Sequence, residues 1–132
     1  MKTIEKTEEK LIYPELSYKI IGILFEVHNQ LGGGYQEKYY QRAIEKAFDQ
    51  EKIKYQSQCP VAIKFKDNKI GCYYIDFLVD NKIILEIKKG NYFSRNNIGQ
   101  VNGYLKSTNK KLAILANFTS DGVKFRRILN LY

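Results

Sequence analysis

The sequence is poor in the residues that mark zinc sites, disulfide scaffolds and membrane spans. It has two cysteines, Cys59 and Cys72, and a single histidine, His28. No His/Cys cluster is available to take zinc. A turn at Asp67-Asn68 would pair residue 63 with 72 and 59 with 76, leaving the two sulfurs four strand positions apart. That is roughly 13 Å, too far for a disulfide. No apolar run approaches the ~18 residues of a membrane span, and no secretory leader is recognisable. These absences give the expectation of a reduced, soluble, cytoplasmic protein with no membrane partner. No Gly-x-x-x-x-Gly-Lys-Ser/Thr loop occurs, which argues against P-loop nucleotide hydrolysis. Gly32-Gly33-Gly34 follows a predicted helix, not a strand. With no repeat, linker or low-complexity tract, one domain over residues 1–132 is expected, with residues 1–10 frayed.

What is present is globular composition, 44% hydrophobic and 27% charged. A chain of this size buries roughly two thirds of its unfolded surface, enough for one core. The net charge is +8, from 22 Lys+Arg against 14 Asp+Glu. Such an excess suits a polyanion, nucleic acid ahead of an acidic membrane, or serves as a lysine-rich solubilising surface. Its clusters are Lys88-Lys89, Lys110-Lys111, Lys124 and Arg126-Arg127.

Periodicity orders the elements. Ile20, Leu24, Val27, His28 and Leu31 recur at helical spacing after Pro14, and the glycines end that helix. A second helix runs from about Gln36 to Gln50 with an apolar stripe of Tyr40, Ile44, Ala47 and Phe48. Strands are predicted over 59–66, 69–79 and 82–89, then a helix over 95–107 with Ser94 as N-cap. Leu112 to Ala116 reads as a strand buried on both faces, and the tail from Asp121 packs against the sheet edge. The class is α/β (α+β): a mixed sheet with helices covering it.

The chemistry concentrates in one strand pair. Ile75, Phe77, Val79, Ile83, Leu85 and Ile87 alternate as an expected core face, while Asp76, Glu86 and Lys88 share the other set with Leu78 and Ile84. A two-residue turn at Asp80-Asn81 would set Asp76 opposite Leu85. A three-residue connection or a bulge would set it opposite Glu86. A shared site therefore predicts an odd-length connection or a bulge. Two converging carboxylates repel and should rise in pKa unless a cation sits between them. A hard divalent ion fits: Mg²⁺, with Mn²⁺ as substitute, held by Asp76, Glu86 and the Ile87 carbonyl. Lys88 would reach the attacking water or the scissile phosphate. The plain alternative is a cross-strand salt bridge of Lys88 with Asp76 or Glu86.

Asp76…Glu86-Ile87-Lys88 resembles the signature of the PD-(D/E)XK nuclease superfamily, with Ile75 where its name has proline. Gly34-Tyr35-Gln36-Glu37-Lys38-Tyr39-Tyr40 is similar to the motif of the small bacterial GxxExxY proteins within it. Gln100-Val101-Asn102-Gly103-Tyr104 is similar to the Gln-x-x-x-Tyr element of its RecB-like nucleases, and Asn117-Phe118 with Gly122 to Arg127 also has the family's look. The resemblance implies a restriction-endonuclease-like αβββαβ core with a four-stranded mixed sheet and an extra N-terminal helix. It implies metal-dependent phosphodiester hydrolysis, with Glu37 completing the site. The stripe that Glu37 heads is then expected to lie over the face carrying Asp76, Glu86 and Lys88, with the Glu37 side chain aimed at them. An ordinary first-turn glutamate is the alternative.

Gln100 and Tyr104 lie on one helix face and would hold a phosphate, a carboxylate or a base, or else pack helix on sheet. Lys89 and Arg95 are further substrate-binding candidates, with Tyr92 and Phe93 beside them for stacking on an unpaired base. His28 is read as a hydrogen-bonded core residue or, with Tyr40, as support behind Glu37. The leading function is a metal-dependent nuclease acting on DNA ahead of RNA, as a homodimer or within a larger complex. The alternatives are a non-catalytic nucleic-acid-binding or assembly module that keeps the fold, and a protein-contact surface.

Overall fold

The computed structural model describes residues 12–131, so the expected fraying of residues 1–10 lies outside the described residues. Helices α1 (Pro14–Leu31) and α2 (Glu37–Gln50) come first. Strands β1 (Tyr55–Phe65), β2 (Asn68–Val79) and β3 (Ile83–Lys89) follow, then helix α3 (Arg95–Thr108) and strands β4 (Leu112–Phe118) and β5 (Val123–Leu129). The sheet runs in the order β1-β2-β3-β4-β5. Only the β3–β4 pair is parallel, and α3 makes the crossover that parallel neighbours require. The αβββαβ core is therefore present, with α1 ahead of it. The sheet has five strands instead of four, because the tail pairs with β4 as a regular antiparallel edge strand.

Local chemistry sets the element ends. Pro14 occupies the first turn of α1, where its missing N–H costs nothing. Gly32 ends the helix at φ 78°, and its N–H donates to the His28 carbonyl at 2.7 Å. Ser94 Oγ caps α3 by accepting from the Asn97 N–H at 3.0 Å.

The core has two layers. Helices α1 and α2 put Ile20, Leu24, Tyr40, Ile44 and Phe48 against Phe77, Val79, Leu85, Ile87 and Ile114. On the other face α3 puts Val101, Tyr104 and Leu105 against Ile75, Ile84 and Leu115. Strand β4 is buried at every residue, so the apolar run from Leu112 to Ala116 is covered on both faces as expected. Each such aliphatic side chain contributes about 1.5–3 kcal/mol.

Three expectations are corrected. The β1–β2 turn is Lys66-Asp67, both left-handed (φ 48° and 66°), and Phe65 pairs with Asn68. Positive φ at both turn residues matches the twist of the flanking strands. With a shift at Ile63/Lys64, Cys59 falls opposite Ile75 and Cys72 opposite Ala62; both thiols are free. Second, Ile75 does not share a face with Phe77. It packs under α3, whereas Phe77 packs under α1 and α2. Both strands lose their alternation where Gln58 (φ 51°) meets Asp76, a pair missing from the ladder. Third, the α2 stripe does not lie over the carboxylates. Glu86 shares the face of Ile84, the α3 face, while α2 packs on the opposite one.

Candidate active site

Three residues, Asp80, Asn81 and Lys82, join β2 to β3, and Val79 pairs with Ile83. Asp80 and Asn81 both adopt left-handed backbone (φ 52° and 55°), and the Lys82 N–H closes the turn on the Val79 carbonyl at 2.9 Å. This odd-length connection sets Asp76 opposite Glu86. The β2–β3 ladder stops at Phe77/Leu85, and side chains replace it. The Asp76 N–H donates to Glu86 Oε1 at 2.8 Å, and the Ile87 N–H donates to Asp76 Oδ2 at 2.8 Å. Each carboxylate thus clasps the opposite strand's backbone.

Glu86 is 2% exposed and Asp76 is half-buried. Burial pushes the Glu86 carboxyl up to about 8, and the charge of Asp76 adds to the rise; the Asp76 N–H and Lys88 oppose it. Burial likewise raises Asp76, against the pull of the Ile87 N–H, Lys88 and a hydrogen bond from Gln58. The nearest cation is Lys88, whose Nζ stands 3.9 Å from Glu86 Oε2, at the limit of an ion pair. Buried Glu86 and half-buried Asp76 therefore share one loosely held ammonium. An all-oxygen pair short of positive charge fits a hard divalent cation, which would return both groups to the ionised form.

Glu37 opens α2 and comes to the far end of β3, where its Oε1 accepts the Lys89 N–H at 3.1 Å. It raises both carboxyls electrostatically, yet it bonds Lys89 and makes no third member of a tight cluster. Among the described residues no group of three or more His, Cys, Asp or Glu converges as a metal centre. Lys89 is tied to the glycine turn through Nζ to the Gly34 carbonyl at 3.3 Å.

His28 gives its Nε2 to the Thr119 carbonyl at 2.8 Å and stacks beside Phe118, so its partner is β4's end and not Glu37. Tyr40 stacks on Phe118 at 4.2 Å and donates its hydroxyl to the Gly32 carbonyl at 2.7 Å, pinning the turn that leads to Glu37.

Gln100, Tyr104 and Arg95 line a groove of about 720 Å³ between α3 and the β1–β2 hairpin. Burial raises the pKa of the Tyr104 hydroxyl, and the charges of Glu86 and Asp76 add to it. The groove lies on the α3 face of the sheet, the face that Glu86 shares with Ile84. One residue beside the site escaped the sequence reading. Gln58 carries no periodic or motif signal; it stands across from Asp76 at the break in the β1–β2 ladder and donates to Gln41 Oε1 at 3.4 Å. Asn117, 1% exposed and level with Lys88 on the parallel strand, donates to the carbonyls of Gly90 (3.3 Å) and Tyr92 (2.7 Å). It fixes the loop after β3, a role the resemblance at Asn117-Phe118 did not specify.

Comparison with curated proteins finds no match. The crystal structure of SSO0001 superposes with a TM-score of 0.55 at 16% identity, over 70% of this chain. The chain spans 50% of the length of that structure, and at this identity the likeness is one of fold. A family model of the PD-(D/E)XK nuclease superfamily matches residues 14–128. With the reciprocal Asp76–Glu86 clasp and Lys88 beside it, that match decides the assignment: the chain belongs to the PD-(D/E)XK nuclease superfamily.

Proposed function

We propose that the protein is a metal-dependent nuclease that hydrolyses phosphodiester bonds, of DNA ahead of RNA, as a member of the GxxExxY group. The observation that carries this reading is the Asp76–Glu86 clasp, one carboxylate buried and one half-buried, with a single loosely held ammonium beside it. Asp76, Glu86 and the Ile87 carbonyl would hold Mg²⁺, with Mn²⁺ as substitute. The Ile87 N–H faces Asp76, and the pleat turns a residue's carbonyl to the same edge as its N–H. The bound ion would polarise a phosphoryl oxygen and offset charge developing on it.

The chain's own groups do the rest. The clasp fixes both carboxylates against backbone N–H groups, so neither must reorganise to meet its ligand. Lys88 is half-buried and close enough to Glu86 to orient a water or offset charge on the transferred phosphoryl. Glu37, tied to the Lys89 N–H, adds to the negative field around the pair from the end of β3.

A second reading has one observation in its favour, the lack of a three-carboxylate cluster among the described residues. On that reading the fold serves as a non-catalytic nucleic-acid-binding or assembly module. A cleavage assay with single- and double-stranded substrates and Mg²⁺ or Mn²⁺ decides. Wild type should cut, and Asp76→Ala and Lys88→Ala should each lose about 10²-fold or more in rate while remaining folded. A wild type that neither cuts nor binds either ion hands the function to the module reading.

A further inference from the structure

The groove beside the site has an unusual floor. Helix α3 turns Gly99 and Gly103 to it between the polar Asn96, Gln100 and Ser107, with the larger Arg95 and Tyr104 also on its lining. Two glycines in a helix of 14 residues are a real cost, about 1 kcal/mol each relative to alanine. Packing does not require them, because a Cβ at Gly99 or Gly103 would meet nothing within 4 Å. They leave bare helix backbone facing open space. The opposite wall is the β1–β2 hairpin, with Val61, Lys64 and Tyr73. Tyr73 is 47% exposed and meets Tyr104 edge-on, with ring centroids 5.8 Å apart.

The lining has a definite chemistry. It contains no carboxylate, and Arg95 and Lys64 supply positive charge. The side-chain amides of Asn96, Asn97 and Gln100 offer both donors and acceptors. Its volume of about 720 Å³ is within the ~300–1,000 Å³ range of sites that enclose small planar ligands. An exposed aromatic ring on the wall opposite bare helix backbone, amides for base edges and flanking cations for phosphates together describe a seat for unstacked nucleotides. Bases paired and stacked inside a duplex cannot present their faces to Tyr73. The groove lies on the α3 side of the sheet, the face Glu86 shares, and Tyr104 belongs both to its lining and to the cluster around Ile75 and Ile84.

We propose that this groove seats an unpaired stretch of the substrate strand, so that the protein works on single strands and frayed or flapped ends in preference to intact duplex. This rests on the nuclease reading for the cleavage step but not for binding. The test is fluorescence anisotropy in EDTA with a short labelled single-stranded DNA and the blunt duplex of the same sequence. Wild type should bind the single strand more tightly. Gly103→Leu fills the groove with a good helix former and should weaken single-strand binding about tenfold or more, while duplex binding changes less than about twofold. Tyr73→Ala, at an exposed strand position, should weaken it about fivefold or more and serves if the leucine variant fails to fold. Equal affinity for the two forms, or single-strand binding unmoved by the folded variants, overturns the proposal. Single-strand binding as described without cleavage in Mn²⁺ removes the nuclease reading and keeps the groove. Cleavage of duplex but not of single strands does the reverse.

Discussion

Glu86 is the residue where burial and charge oppose each other most sharply. Its carboxyl is raised from 4.5 to about 8, so the folded chain binds this proton more tightly than the unfolded chain does. Its contribution to stability is full below about 4.5 and is lost as pH rises toward about 8. Without divalent ions, the wild-type melting temperature should therefore fall across that window. Glu86→Gln should flatten the fall and, near the top of the window, raise stability by at least about 1 kcal/mol. Thermal melts in EDTA at several pH values check this, and a wild-type curve flat over the window sinks it. The identities of Asp76, Glu86 and Lys88 were legible from period 2 and their spacing, and so was the odd-length connection that brings the two carboxylates together. The partners were not. Gln58 meets Asp76 because β1 and β2 both lose their alternation at that point, a register event with no mark in the local sequence. The carboxylates bond backbone N–H groups, which no residue pattern encodes.

Among the elements, the glycine turn between α1 and α2 decides where Glu37 goes. Gly32 and Gly34 take positive φ (78° and 94°), and Gly33 lies against the turn after β4. A Cβ on Gly33 would stand 2.9 Å from Ser120 Cα and 3.1 Å from the Thr119 carbonyl oxygen, both backbone atoms that cannot step aside cheaply. Gly33→Ala should cost about 1–3 kcal/mol and displace the start of α2. Gly22→Ala, in α1 with nothing within 4 Å, should gain up to about 1 kcal/mol. Chemical denaturation of the pair checks both signs, and equal effects would show that the turn is not closely packed. The helices were readable to within a residue because Pro14, the glycines and Ser94 mark their ends chemically. Which sheet face α2 covers was not readable. Its stripe is equally suited to either apolar face, and only the chain's path chooses between them.

For the whole molecule, metal and charge are the coupled variables. A divalent ion held by the two carboxylates displaces their protons, so it should stabilise the fold more near pH 8 than near pH 5. At about 100 times its dissociation constant the ion adds about 2.7 kcal/mol. Melting with and without Mg²⁺ or Mn²⁺ at both pH values measures this, and Asp76→Ala should abolish the shift. No described helix is long and apolar enough to cross a membrane. The sequence by itself determined the order of elements, the doubly buried strand β4 and the charged trio in the β2–β3 pair. Hydrophobic periodicity and turn chemistry are local, and these features are made of nothing else. Tertiary structure alone decided that α2 lies opposite the carboxylates and that Glu37 bonds β3 from its far end. It also decided that the tail becomes a fifth strand and that a glycine-floored groove opens beside the site. Those depend on which surfaces meet across long stretches of chain, where several pairings bury similar apolar area and only the assembled sheet selects one.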